Sequence, residues 1–102
     1  MVDLIWTSQA LDDLDSVCLY IARDSPHYAN VFARRAFEVA DRLQRFPFSG
    51  RIVPETANRY IRELIIGNYR LIYRVGDELV EILTVHHGAR ELGPLPGSSP
   101  HE

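Results

Sequence analysis

The 102-residue chain has no lysine, one cysteine, one tryptophan and one methionine. The missing lysine reads as a compositional bias of the source genome. A single cysteine, Cys18, excludes an internal disulfide and suits a reducing compartment. Several signatures are also missing: a phosphate-cradling glycine loop, Cys/His spacing for zinc, and the strained turn that carries a hydrolase nucleophile. No apolar run is long enough to span a membrane and no signal peptide is visible, so a cytoplasmic location and no membrane partner are expected. Internal repeats are lacking too.

What remains is ordinary globular composition, with 46% apolar and 25% charged residues. One domain with a modest core follows. The net charge of −3 argues against direct binding of free nucleic acid. Its distribution is uneven. Residues 8–24 hold four Asp against one Arg, residues 26–62 hold seven Arg against three acids, and residues 63–102 return to −3.

Residues 2–6 read as a short first strand. Thr7 or Ser8 then caps a helix from about Gln9 to Arg23, with Leu11, Leu14, Cys18 and Ile21 as its buried stripe. Asp12, Asp13 and Asp15 sit close together there; a solvated helix face explains them better than a metal site, since no His or Cys shares the face. Ser25-Pro26 starts a second helix that runs to about Phe46, with Ala29, Phe32, Ala33, Ala36, Ala40 and Leu43 buried. Arg34, Arg35, Arg42 and Arg45 lie off that stripe, as a solvated face or a phosphate-binding ridge. Residues 47–59 have loop chemistry. The Pro/Gly/Ser tail, 93–102, is expected to be flexible, with 1–92 as the single domain.

Residues 60–90 organise the rest. Gly67-Asn68 and Gly76-Asp77 are two-residue hairpin signals that cut the run into three strands. Counting from those turns places Leu64 opposite Leu71, Tyr73 opposite Val80, and Leu71 opposite Ile82. Alternation then sorts the side chains. One face carries Leu64, Ile66, Tyr69, Leu71, Tyr73, Val80, Ile82 and Thr84, a plain core. The other carries Ile61, Glu63, Ile65, Arg70, Ile72, Arg74, Leu79, Glu81, Leu83 and Val85. The fold class expected is α+β: an N-terminal strand, then an antiparallel helical hairpin on one face of a small, mainly antiparallel sheet, in the order β-α-α-β-β-β.

The second face is where chemistry is expected. Arg70, Arg74, Glu63 and Glu81 form either a site for an anionic partner or cross-strand ion pairs. Ile65, Ile72, Leu79 and Leu83 around them would leave an apolar area large for a lone monomer, so a partner segment is expected to cover it or add to a free strand edge. His86 and His87 are adjacent on a strand and cannot chelate one metal together. His86 is expected toward the core and His87 outward. No metal or cofactor is called for.

Gly-Asn-Tyr-Arg-Leu-Ile-Tyr-Arg-Val at 67–75, Phe-Pro-x-Ser-Gly-Arg-x-Val-Pro at 46–54, and His-Gly-Ala-Arg at 87–90 resemble the RelE/ParE superfamily of small toxins from type II toxin–antitoxin systems. The resemblance covers residues 2–92. It implies a growth inhibitor neutralised by a cognate antitoxin in a hetero-oligomer. Superfamily members either cleave messenger RNA in the ribosome or poison DNA gyrase. Ribonuclease members resemble this chain at Arg70 and Arg90, and His87 would complete a catalytic set. They tend, however, to carry lysines where Ile61 and Glu63 stand, and a tyrosine or histidine beyond Arg90, where this chain offers only His101. A carboxylate beside a scissile phosphate has the wrong sign. The resemblance therefore favours the ParE-like branch, a non-catalytic gyrase inhibitor. Its binding candidates for antitoxin or target are Ile61, Glu63, Ile65, Arg70, Ile72, Arg74, Leu79, Glu81, Leu83 and Arg90. A ribosome-dependent endoribonuclease and a detoxified antitoxin-binding partner are the alternatives.

Overall fold

The computed structural model describes residues 1–90, 92 and 93. The remainder of the expected tail, with His101, lies outside the described residues. The order is β1 (Asp3–Trp6), α1 (Ser8–Ala22), α2 (Pro26–Asp41), a 3-10 turn (Arg42–Gln44), β2 (Arg51–Ile52), β3 (Ile61–Ile66), β4 (Tyr69–Val75) and β5 (Leu79–His87). The strands form one sheet in the order β1-β5-β4-β3-β2, with β1 parallel to β5 and the other pairs antiparallel. The α+β expectation holds, and the helical hairpin covers one face.

Local chemistry accounts for the helix boundaries. The Thr7 hydroxyl accepts from the Ala10 N–H and the Ser25 hydroxyl from the Tyr28 N–H, each satisfying an orphan donor of the first turn. Pro26 stands at the first helical position, where its missing N–H costs nothing. The buried stripe of α1 is Ala10, Leu14 and Val17, with Cys18 and Ile21 partly buried. Leu11 is exposed, contrary to expectation. In α2, Val39 joins the expected stripe. The helices pack on Leu71, Tyr73, Val80, Ile82 and Val85 to form the main core.

Two findings change the expected sheet. The first is β2, two residues that pair with β3 through Arg51↔Glu63 and Ile52↔Arg62, inside what read as loop. The second is the register of β5. The first hairpin is as counted, with Leu64 opposite Leu71 across the Gly67-Asn68 turn, where Gly67 takes a φ of +59°. In the second hairpin the Gly76 N–H bonds the Leu79 carbonyl at 2.7 Å, so Asp77-Glu78 is the turn rather than Gly76-Asp77. Val75 accordingly faces Val80, and Tyr73 faces Ile82. A bulge then inserts Leu83 between the Tyr73↔Ile82 and Ile72↔Thr84 pairs, so Leu71 faces Val85. One extra residue resets the alternation: Val85 reaches the helix-side core, and Leu83 stays on the far face.

The far face is not an open apolar surface. Val53 folds back from the 47–59 segment onto Ile61, Ile72 and Leu83, with Leu92 against them, forming a second small core. Ile72 and Leu83 are fully buried, and only Ile65, at 55% exposure, stands out among the apolar residues of that face. The expected uncovered area is therefore corrected: the chain covers most of it by itself.

Candidate functional site

Charged side chains on the far face converge on Glu63, in the middle of β3. Its side chain is fully buried and receives a guanidinium at each oxygen. The Arg70 Nε–H donates to Oε1 at 2.6 Å, and the Arg51 Nε–H donates to Oε2. Register brings them together: Arg51 lies directly opposite Glu63 across β2–β3, and Arg70 lies opposite Ile65, two residues further along β3 on the same face. Arg70 then turns its fork to Glu55, in the loop after β2. Its two terminal nitrogens donate to the two Glu55 oxygens, each at 2.8 Å. This parallel two-bond geometry is the strongest an arginine makes with a carboxylate.

The electrostatics follow from these contacts. Hydrogen bonding by Arg70 holds the Glu55 carboxyl down at about 2. Glu55 and Glu63 together push the Arg70 guanidinium further above its ordinary value. Arg70, 5% exposed, thus spends Nε and both terminal nitrogens on internal carboxylates. Such a group has little left for an outside phosphate. Four residues further along β4, Arg74 and Glu81 lie opposite each other and bridge at 2.8 Å, both half-buried.

At the end of β5 lies a groove of about 700 Å³. β1 pairs only with Leu79–Ile82, so the second half of β5 has no strand beyond it, and the groove fills that gap beside α1. Asp13 of α1 stitches the two together, accepting from the Thr84 hydroxyl and from the Val85 N–H. It is a structural tie, not simply part of a solvated face. His86, His87 and Arg90 line the groove with Tyr20 and Tyr69. The bulge places His86 opposite Arg70 and His87 opposite Tyr69, with His87 exposed at the strand end. His86 is therefore on the ion-pair side of the strand rather than the core side. Its Nε2 is buried and has no hydrogen-bond partner among the described residues. Burial, then Arg70 and Arg90, lowers its pKa and so favours the neutral ring.

The predicted residues therefore divide into groups. Ile61, Ile72 and Leu83 are core. Glu63 and Arg70 are buried in the ion cluster, Arg74 and Glu81 pair with each other, and Leu79 is half-buried. Ile65 and Arg90 are exposed. Of the suggested catalytic set, His87 and Arg90 share the groove and Arg70 does not line it. Sequence reasoning missed Glu55 and Arg51. Glu55 had no signal, being a lone acid in a loop; Arg51 stood in the Ser-Gly-Arg motif. Gly50 in that motif is required by close approach: a Cβ there would lie 2.5 Å from the Glu63 carbonyl oxygen and 2.7 Å from the Tyr73 hydroxyl. Among the described residues no group of three His, Cys, Asp or Glu is placed to hold a metal, and no helix is long and apolar enough to cross a membrane.

Comparison with known proteins bears on the whole of this architecture. The family model described as "ParE toxin of type II toxin-antitoxin system, parDE" matches residues 4–92, from β1 to the last residues against the far-face core. The chain belongs to the ParE toxin family. Toxin RelE2 of Caulobacter vibrioides is 37% identical over 91 residues, covering 88% of this chain and 99% of that protein. Putative toxin Y4kP of Sinorhizobium fredii is 35% identical over 88 residues, covering 84% of this chain and 88% of that one. Among solved structures, a chain of the chromosomal ParDE toxin–antitoxin system from P. aeruginosa superposes with a TM-score of 0.69 at 24% identity, over 85% of this chain and 96% of that one. A chain of the RelBE2 toxin–antitoxin complex from Mycobacterium tuberculosis gives 0.53 at 24% identity, over 84% and 96%. At that identity the structures establish the fold alone. As a ParE-family toxin, this chain shares their fold, and the names of its relatives span both branches of the superfamily.

Proposed function

We propose that this ParE-family toxin inhibits growth by binding DNA gyrase rather than by cleaving RNA, and that a cognate antitoxin neutralises it. The observation that carries this reading is the commitment of Arg70 to internal carboxylates through all three of its nitrogens. A ribonuclease of this architecture needs cations free to meet a phosphate whose charge grows in the transition state. Here the mid-strand guanidinium is committed to Glu63 and Glu55, and Glu63 adds a buried carboxylate where a cleaving site wants positive charge. Gyrase as target is what the resemblance to the ParE branch implies. The toxin–antitoxin assemblies among the structural neighbours support an antitoxin partner.

One observation favours the endoribonuclease alternative: His87 and Arg90 line the same groove, beside the neutral His86. The test is a pair of purified assays on the wild-type chain. Gyrase supercoiling should be inhibited in a dose-dependent way, and messenger RNA on translating ribosomes should stay intact. Cleavage of ribosome-bound messenger RNA with supercoiling untouched would replace the binding reading by the enzyme.

A further inference from the structure

The edge of the sheet opposite the groove carries features that neither the toxin fold nor the ion cluster uses. β2 is the terminal strand. Its pairs with β3 are Arg51↔Glu63 and Ile52↔Arg62, and the Val53 N–H donates to the Ile61 carbonyl at 3.1 Å. Antiparallel alternation then turns the N–H and C=O of Ile52 away from β3, toward a side where no strand follows among the described residues. The Ile52 side chain is 42% exposed beside them.

Next to this open peptide unit runs a ridge of rings and guanidinium groups. Phe48 and Tyr60 are both exposed, with centroids 6.2 Å apart. The Arg62 guanidinium lies 5.0 Å from the Phe48 ring and that of Arg59 lies 5.1 Å from the Tyr60 ring. Arg62 is held in place entirely by neutral acceptors, the carbonyl oxygens of Arg59 (2.8 Å), Gly50 (3.0 Å) and Phe48 (3.2 Å). Among the described residues no carboxylate pairs with Arg59 or Arg62. The chain is acidic overall, yet it fixes two unneutralised cations in one place.

We propose that the outer edge of β2 and this arginine–aromatic ridge form a docking strip for an extended, acidic segment of the antitoxin. The proposal rests on the toxin–antitoxin reading given above. Three complementary requirements define the occupant. Its backbone pairs with the Ile52 N–H and C=O, its carboxylates meet Arg59 and Arg62, and its apolar side chains lie on Ile52, Phe48 and Tyr60. A single-stranded nucleic acid would satisfy the cations and the rings but would leave the open peptide unit unused. One peptide unit is too little to hold a strand alone, so the ridge must supply most of the attraction.

The probe is a fluorescein-labelled peptide of alternating Glu and Val, titrated against the full chain by anisotropy. The same peptide with Lys for Glu and a fluorescein-labelled oligo-dT serve as comparisons. The Glu peptide should bind at least about tenfold more tightly than either, and the double variant Arg59→Ser/Arg62→Ser should weaken it by about tenfold. Ile52→Pro, which removes the outward N–H and trims the exposed side chain but takes away no hydrogen bond to β3, should also weaken it while the unfolding midpoint stays near wild type. Should that variant fail to fold, hydrogen exchange at the wild-type Ile52 amide, expected to slow when the peptide binds, replaces it. Equal binding by wild type and the arginine variant, no binding, or tighter binding of oligo-dT overturns the proposal. Growth arrest on expression of the chain reports on the toxin reading separately, so loss of the docking strip leaves that reading standing.

Discussion

The two faces of the sheet solve the same problem, burial of a strand surface, by opposite chemistry. On the helix side, Leu71, Tyr73, Val80 and Ile82 are fully buried against the hairpin, and the one polar atom at their centre is the Tyr73 hydroxyl, which accepts from the Gly50 N–H at 2.9 Å. On the far side, a four-residue apolar cluster sits beside a buried carboxylate held by two arginines. The first face is stabilised by apolar area and tolerates volume-conserving exchange. The second holds only while every charge keeps its partner. A face that spends its charges internally has the character of a scaffold.

The largest expected effect breaks the helix side. Ile82→Asp places a carboxylate in the apolar core and should cost about 4 kcal/mol or more in urea unfolding. Arg70→Ala comes next: it leaves the buried Glu63 carboxylate with Arg51 alone, on one oxygen, for a loss of about 3 kcal/mol. The contrast between the faces predicts rescue only on the far side. Glu63→Met combined with Arg70→Met should recover most of that loss, because no charge is then left buried: the partners that remain, Arg51 and Glu55, both reach solvent. Gly50→Ala, which meets backbone at Glu63 on one side and the Tyr73 hydroxyl on the other, should cost about 2 kcal/mol.

Two groups of the far face should make acid destabilise the fold in two steps. Folding lowers the pKa of both His86 and Glu55, so the folded state binds fewer protons and stability falls with falling pH. The His86 contribution is present above its ordinary value of 6.5 and is lost first as pH drops below it. That of Glu55 is present above 4.5 and is lost as pH falls toward 2. In His86→Asn the first step should vanish from a stability–pH profile while the second remains. The smallest effect belongs to Ile65→Ser, at the most exposed apolar site of that face, which should change stability by less than about 0.5 kcal/mol.

Where local chemistry decides structure, the sequence was readable. The Ser25-Pro26 start and the Gly67-Asn68 turn act through their own dihedrals and caps, and both appear as expected. The second hairpin failed for a local reason as well: Gly76 pairs with Leu79 instead of forming the turn, and nothing in the run Gly-Asp-Glu marks the choice. The Leu83 bulge is invisible to a period-2 count, and with it went the sidedness of Val85, His86 and His87. β2 is two residues long, too short for any period. At the candidate site, the sequence supplied Glu63 and Arg70 but withheld Glu55, whose place beside Arg70 depends on how a proline-containing loop folds back. Cross-strand partners follow from counting, whereas loop partners do not.

The central claim is that Arg70 is scaffold and that the toxin acts by binding. It is tested most directly by measuring growth inhibition and unfolding free energy together across Glu55→Gln, Arg70→Ala and the Glu63→Met/Arg70→Met pair. The account predicts that inhibition follows the folded fraction, so the rescued double variant remains toxic without its arginine. A double variant that is fully folded yet has lost toxicity by orders of magnitude would contradict it, and would return Arg70 to the chemistry of a transition state.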